Sequence, residues 1–435
     1  MTRSLSVFWL TILFVLTLTL PACSNKSDDA CDDPTKQGCP EYASPEEITE
    51  LRQLVHTYMD AKDDAAAEGS LAAILGKRAA TVSRLTPILG EARERGPQKT
   101  GTIMDVPFKV GSMSSDYSMW VPPTYDPATP FPLIVCLHGA FFTGSEYVEK
   151  WQPRLGDKYM LVCPTSEDWW TLPSEAFVFA LLDDVTSRYN IDPNRIFLSG
   201  MSDGGTGTFV FGAHRGDRFA GVAPMAAGFG LFDFLQNFVA TPVYYIHNVD
   251  DQVMPIALGR KIVKTLTEDG VDVTFRESTE EKPEVGNHFF PASELPALIT
   301  WLDGKTRNSY PKRLDYLRDA PHLGRYFWSD IVDAPGLDAI DWSDPDFTTK
   351  PHKFAEFKAE ITEGRIDVTT KNVVAFRILL NDELVNLDKP VEIYTNGVLS
   401  FSGKLIRSPE TLLREARTRH DRAMLFSAAV PISVP

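Results

Sequence analysis

Residues 195–215 read RIFLSGMSDGGTGTFVFGAHR, and one serine joins the two halves of this stretch. Ile196, Phe197 and Leu198 form a short apolar run of the kind that makes a buried strand, and TGTFVFGAHR reads as the helix that follows. A serine on so sharp a turn needs small neighbours two residues away on either side, which Gly200 and Gly204 supply. Such a turn raises the hydroxyl of Ser202 above the sheet and aims the N–H of Asp203 at whatever the serine attacks. The five-residue pattern alone is also met in ordinary glycine-rich turns. Its place between a buried strand and a helix favours Ser202 as a nucleophile.

Outward from this stretch the same alternation continues. DYSMWVPP, FPLIVCLHG and YMLVCPTS are strand-like, AFVFALLDDVTSRY is helical, and FAGVAPMAA and TPVYYIHN are strand-like again. The predicted fold class is therefore α/β, a mainly parallel sheet with helices on both faces, occupying residues 97–305. In such sheets reactive groups collect at the carboxyl ends of the strands. Cys136 and Cys163 sit inside apolar runs and read as small core residues.

A nucleophilic serine needs a base, and the base needs an orienting acid. Of eight histidines, His288 in EVGNHFFP lies in a polar loop after the last strand-like run and before the helix SELPALITWL, where it can reach across the sheet top. His138 and His247 read as turn residues, His56 and His214 as helical, and His322, His352 and His420 lie in the C-terminal region. The segment IHNVDDQVMP offers both Asp250 and Asp251 as the acid, and residue types alone do not choose between them. Glu277, Glu280, Glu281 and Glu284 belong to a charged, solvated loop. No set of His, Cys and acidic residues has metal-ligand spacing, so neither a metal nor a cofactor is expected.

The two ends of the chain differ from its middle. After Arg3, residues 5–20 contain only apolar residues, Ser and Thr, and the run ends in LPAC. That pattern resembles a bacterial lipoprotein signal. The resemblance implies a signal peptide over 1–22, lipidation of Cys23, and an envelope-anchored protein, with the outer membrane favoured because Ser24 stands where an Asp would retain it, or else simple secretion. Residues 23–44 read as a flexible linker in which Cys31 and Cys39 flank a short polar loop; a disulfide between them and two separate thiols are both open readings. Residues 45–96 read as a helical lead-in packed on the main domain. Ser44, Pro45 and Glu47 open its first helix, and Ile48, Leu51, Val55 and Tyr58 share one face. Residues 306–435 read as a β-rich, sandwich-like domain with a hairpin at Asn396 and Gly397 and a short helix after Ser408. Trp328 and Trp342 read as core residues of that domain.

The formal charge of −16, from 43 basic and 59 acidic residues, opposes binding to phosphate backbones, so nucleic acid is not an expected partner. The order serine, Asp, His, with GMSDGG as the elbow and LHGA after an early strand, resembles the α/β-hydrolase superfamily. Within it, residues 100–305 resemble secreted esterases grouped with polyhydroxybutyrate depolymerases and feruloyl esterases, and also the catalytic domains of prolyl-oligopeptidase relatives. The resemblance implies a serine esterase. Its acid falls on Asp251, its base on His288, and its oxyanion donors on the N–H groups of Ala140 and Asp203. Asn248 stands where the family has Gly, a replacement that the left-handed tolerance of Asn allows, and Asn287 separates Gly286 from His288. Phe141, Phe142, Trp169 and Trp170 are candidates to line a substrate pocket, although aromatics after strands are more often core. The expected partners are a small or polymeric ester and a membrane through the lipid anchor. Two other readings compete: a prolyl-type serine peptidase, and a surface binding protein that keeps the fold without turnover.

Overall fold

The computed structural model describes residues 43–435 except 94, 95, 97, 168, 169, 171, 339 and 341–351. The expectations for Cys23, Cys31, Cys39, Trp169 and Trp342 fall outside the described residues.

Three helices open the described chain: α1 (Pro45–Asp60), α2 (Asp64–Leu75) and α3 (Val82–Gly90). Ser44 and Glu47 close a reciprocal capping box, which satisfies two N–H groups at the start of α1. The lead-in packs elsewhere than expected. Its apolar face, with Leu51, Val55, Tyr58, Leu71 and Leu85, forms one cluster with Leu412, Leu413 and Ala416 from the far end of the chain. The sequence pattern of the lead-in specifies a face to bury but carries no record of its partner.

The central sheet is built from β1 (Gly101–Val110), β2 (Met113–Val121), β3 (Phe131–Leu137), β4 (Met160–Pro164), β5 (Ile191–Met201), β6 (Gly221–Met225), β7 (Val243–Asn248) and β8 (Val273–Ser278). Its strand order is β1-β2-β4-β3-β5-β6-β7-β8. The β1–β2 and β2–β4 pairs are antiparallel, and every pair from β4 onward is parallel. The helices α4 (Gly144–Leu155), α5 (Leu172–Arg188), α6 (Asp203–Arg215), α7 (Ile256–Glu268) and α8 (Leu295–Asp303) connect or flank these strands. Two apolar clusters lie on its faces, one with Leu133, Val135, Leu198 and Phe209, the other with Ile134, Cys136, Trp151 and Phe197. Neighbouring residues of β3 and β5 thus face opposite layers, which is why these strands read as continuous apolar runs. Cys136 and Cys163 are buried free thiols.

The remaining strands are β9 (Arg313–Arg318), β10 (Arg325–Tyr326), β11 (Ser329–Asp333), β12 (Ala355–Thr362), β13 (Arg365–Lys371), β14 (Ala375–Leu380), β15 (Val391–Thr395), β16 (Val398–Gly403) and β17 (Ala428–Ser433), with α9 (Pro409–Arg419) before the last. They form a four-stranded and a five-stranded sheet around a shared core that includes Trp328, Phe357 and Phe376. Alternating burial along β12 and β13 marks sheets with one wet face.

Candidate active site

Ser202 stands between β5 and α6 with φ 59° and ψ −118°, a backbone conformation that a non-glycine residue keeps only when its surroundings enforce it. The surroundings are tight. A Cβ on Gly200 would lie 2.2 Å from the carbonyl oxygen of Gly204, and one on Gly204 would lie 2.2 Å from that of Leu137. The glycines therefore let the elbow sit directly on the end of β3. The Ser202 N–H donates to Met225 O (2.9 Å), tying the turn to the end of β6 as well.

His288 comes from the loop after β8 and lies between two partners. Its Nε2 is 2.8 Å from Ser202 Oγ, and its Nδ1 is 2.8 Å from Asp251 Oδ2. Asp251, in the turn after β7, has a fully buried carboxyl group whose Oδ1 accepts the N–H groups of Val253 (2.9 Å) and Met254 (2.8 Å). Burial pushes this carboxyl up, but the hydrogen bonds from His288, Met254 and Val253 outweigh it and hold the group below its ordinary value. The ionised carboxylate fixes the imidazole with Nδ1–H toward it, which leaves Nε2 as the acceptor for the serine hydroxyl. Asp250 is exposed, and its N–H is capped by Asn248 Oδ1 (2.9 Å).

Asn248 does not take the left-handed conformation expected of it. It ends β7, and its side chain instead ties the turn together, donating to Glu280 O (2.6 Å) and accepting from Asp250. Asn287 is the residue that turns left-handed, with φ 55°, immediately before the base. Its Oδ1 accepts the Lys282 N–H (2.7 Å), closing the long charged loop onto itself.

The turn after β3 passes over the elbow, since a Cβ on Gly139 would lie 3.5 Å from that of Ser202. The Gly139 N–H is taken by Tyr147 Oη (2.9 Å), so Ala140 carries the next N–H of that turn. Asp203 heads α6, where the first N–H groups have no acceptor one turn earlier. Its side chain is buried beside the nucleophile. Burial pushes the carboxyl up to about 7, partly opposed by the Trp170 N–H.

The four pocket candidates separate. Phe141 is 105% exposed, with φ 70°, and Phe142 is 40% exposed and lies under Lys150. Trp170 is instead core: it is 2% exposed, packs on Gly207 of α6, and donates its indole N–H to His138 O (2.7 Å). Val253 and Val285, on the loops that carry Asp251 and His288, are exposed as well. With Phe141 they set an apolar fringe on the loops that carry these groups.

Two supporting residues, Tyr147 and Asn237, escaped the sequence reading, and a third, His247, makes local hydrogen bonds as a turn residue would. Tyr147 lies inside α4, four residues beyond the capping Thr143, and its ring packs on His138 and Phe290. His247 lies 2.6 Å from both Tyr245 Oη and Met254 O, and so braces the turn that holds Asp251. Burial lowers its pKa, keeping it neutral. Asn237, fully buried, bonds across to β9. Helical spacing and local motif do not reveal the contacts of Tyr147 and Asn237. Among the described residues no cluster of His, Cys and acidic side chains is arranged to hold a metal.

No family model matches the chain. Over 115 residues it is 30% identical to poly(3-hydroxyalkanoate) depolymerase C of Paucimonas lemoignei, an alignment that takes in 22% of this chain and 28% of that protein. The chain thus spans less than a third of the length of that relative. Among solved structures it is similar to a thermostable esterase, with 26% identity, 47% of this chain and 63% of that one covered, and a TM-score of 0.40. It is similar also to a ferulic acid esterase, with 14% identity, 46% and 98% covered, and a TM-score of 0.40. The strand order, the antiparallel first pair and the strained serine turn after β5 give this chain the α/β-hydrolase fold, followed by a β-rich C-terminal region.

Proposed function

We propose that the chain is a serine hydrolase of carboxylic esters that works through an acyl-enzyme. The observation that carries this is the unbroken run from Ser202 Oγ through His288 to Asp251, with both hydrogen bonds at 2.8 Å. Ser202 Oγ attacks the ester carbonyl as its proton passes to His288 Nε2, and the carbonyl π electrons move onto oxygen. The N–H groups of Ala140 and Asp203 receive that oxyanion, while Asp251 stabilises the imidazolium. As the tetrahedral species collapses, the C–O bond to the alcohol breaks and His288 returns its proton to the leaving oxygen. Water then adds to the acyl group with His288 again as base, releasing the acid and restoring Ser202. Asp203 acts through its N–H, its side chain taking no part in the transfer.

The exposed apolar fringe of Phe141, Val253 and Val285 supports an open site suited to bulky esters. The test is turnover of short aryl esters, feruloyl and acetyl sugar esters and a prolyl amide by purified protein beside Ser202→Ala. Ester turnover that falls by about 10⁴-fold or more in the variant is expected. Equal rates, or no turnover of any substrate, would sink the reading, and preference for the prolyl amide would replace it with a peptidase. We propose further that the protein is exported and held to the envelope by lipid on Cys23. A Cys23→Ser chain that still fractionates with membranes would refute the anchor.

A further inference from the structure

At the amino-terminal end of β5, opposite the end that carries Ser202, three parts of the chain meet around a cavity of about 440 Å³. The lead-in helices form one wall, the turn into β5 a second, and the segment after α9 the third. A volume of this order matches a small organic molecule. None of its lining residues belongs to the Ser202 site.

The polar part of the lining holds four arginines and four carboxylates, and their pairing leaves Arg422 over, since Glu91 is taken by Arg52 (2.8 Å) and Asp421 by Arg307 (2.6 Å). Arg93 is paired with the exposed carboxylate of Asp60, and Arg218 with that of Asp183 (2.7 Å). Arg422 donates Nη2 only to neutral oxygens, Asn190 Oδ1 (3.0 Å) and Ile191 O (2.8 Å), so no carboxylate is bonded to its charge. Two imidazoles, of His56 and His420, line the same space. Burial and then Arg93 push His56 toward its neutral form, opposed by Asp60 and Glu91 and reinforced by Arg52. Burial does the same to His420, opposed by Asp183 and reinforced by Arg218, Arg417 and Arg93. His420 takes its place by ending α9 in the left-handed conformation, with φ 51°. The rest of the lining is apolar, with Val55, Met59, Leu89 and Leu425 among its members.

We propose that this cavity binds a small carboxylate with an apolar tail, its carboxyl group among His56, Arg93, His420 and Arg422 and its tail against Val55, Met59, Leu89 and Leu425. Arg422, the lining arginine with no carboxylate bonded to it, favours an anion over a cation. An anion there favours the charged form of both imidazoles against the burial and the nearby arginines that hold them neutral, so the carboxylate arrives with uptake of a proton and binds more tightly as pH falls. A tail is required because an ion without one leaves the apolar wall wet. The site stands independently of the ester reading, although a carboxylate is also what ester hydrolysis releases.

The test is calorimetric titration of the full chain carrying Ser202→Ala with sodium octanoate, at pH 6 and pH 8 and in two buffers of different ionisation enthalpy. Octanoate is expected to bind about tenfold more tightly at pH 6, with a heat that changes with the buffer as a proton is taken up. Adding His56→Gln and His420→Gln removes the pH dependence and weakens binding at pH 6 about tenfold. Inorganic phosphate binds far more weakly. The proposal is overturned by absence of octanoate binding at both pH values, by binding that the histidine variants leave unchanged, or by phosphate binding as tightly. Circular dichroism reports the fold of each variant. His56→Gln alone, at a half-buried position on α1, shows half the effect if the double variant does not fold.

Discussion

Asp203 shows what burial does to one side chain beside the strained Ser202 turn. Its carboxyl would titrate near 3.8 in the unfolded chain and is pushed up to about 7 in the folded one by burial, with the Trp170 N–H opposing. Between those values the folded chain holds a proton that the unfolded chain has lost. Stability therefore falls as pH rises across this window and stays lower above it. Asp203→Asn removes the titration while keeping the backbone N–H, so the variant is expected to exceed the wild type in stability by about 4 kcal/mol at pH 8 and to come close to it at pH 4. Urea unfolding at the two pH values measures this. An equal difference at both would place the effect in packing rather than ionisation. Asp251 is the opposite case, its carboxyl held below the ordinary range, so its contribution is present at neutral pH and lost as pH falls through the folded value.

At the scale of elements, the elbow depends on how closely α6 approaches the end of β3. A methyl group on Gly204 would meet Leu137 O at 2.2 Å and His138 O at 2.5 Å, and backbone atoms of a central strand cannot yield. Gly204→Ala is expected to destabilise the fold by about 3 kcal/mol. Gly69, inside α2, has nothing within 4 Å of an added Cβ, so Gly69→Ala is expected to stabilise by about 0.5–1 kcal/mol. Chemical denaturation of the two variants side by side separates steric demand from helix propensity, and loss of stability in both would contradict the distinction. The elbow, the two-sided strands and the capping box at Ser44 were legible because each is local: its residues lie within a few positions of one another. β1 escaped notice because its exposed and half-buried residues give it no apolar run. Pro107 also breaks its pattern.

Across the whole molecule, buried polar clasps join units that lie far apart in sequence. Arg307 is buried with Asp421, donating Nη1 to Oδ2 (2.6 Å) and Nη2 to Oδ1 (3.1 Å), and also reaches Asp217 O (2.6 Å) and Asn194. Asn237 bonds to Leu317 through both of its ends, and Tyr326 Oη donates to Asn237 O. These contacts seat the C-terminal sheets on the central domain. Arg307→Met leaves Asp421 buried without its counterion and is expected to cost about 3–5 kcal/mol, whereas Arg307→Met with Asp421→Leu recovers most of that loss. Thermal unfolding of the three proteins decides it. A double variant as unstable as the single one would mean that the pair acts through geometry that apolar packing cannot replace.

Read alone, the sequence determined the alternation of strands and helices, the strained serine turn and the caps, because each of these is set by periodicity or by residues a few positions apart. It also narrowed the acid to two neighbours. Only the tertiary structure decided that Trp170 is core and that the lead-in packs on α9, and it turns the Asp251 carboxyl inward, the choice that residue types left open and the family resemblance implied. Those outcomes depend on which surfaces meet, and contacts between residues far apart in sequence leave no periodic trace in either segment. The serine was visible from its two glycines; the hydrogen bonds that join it to His288 and Asp251 became visible only when three strand ends were brought together.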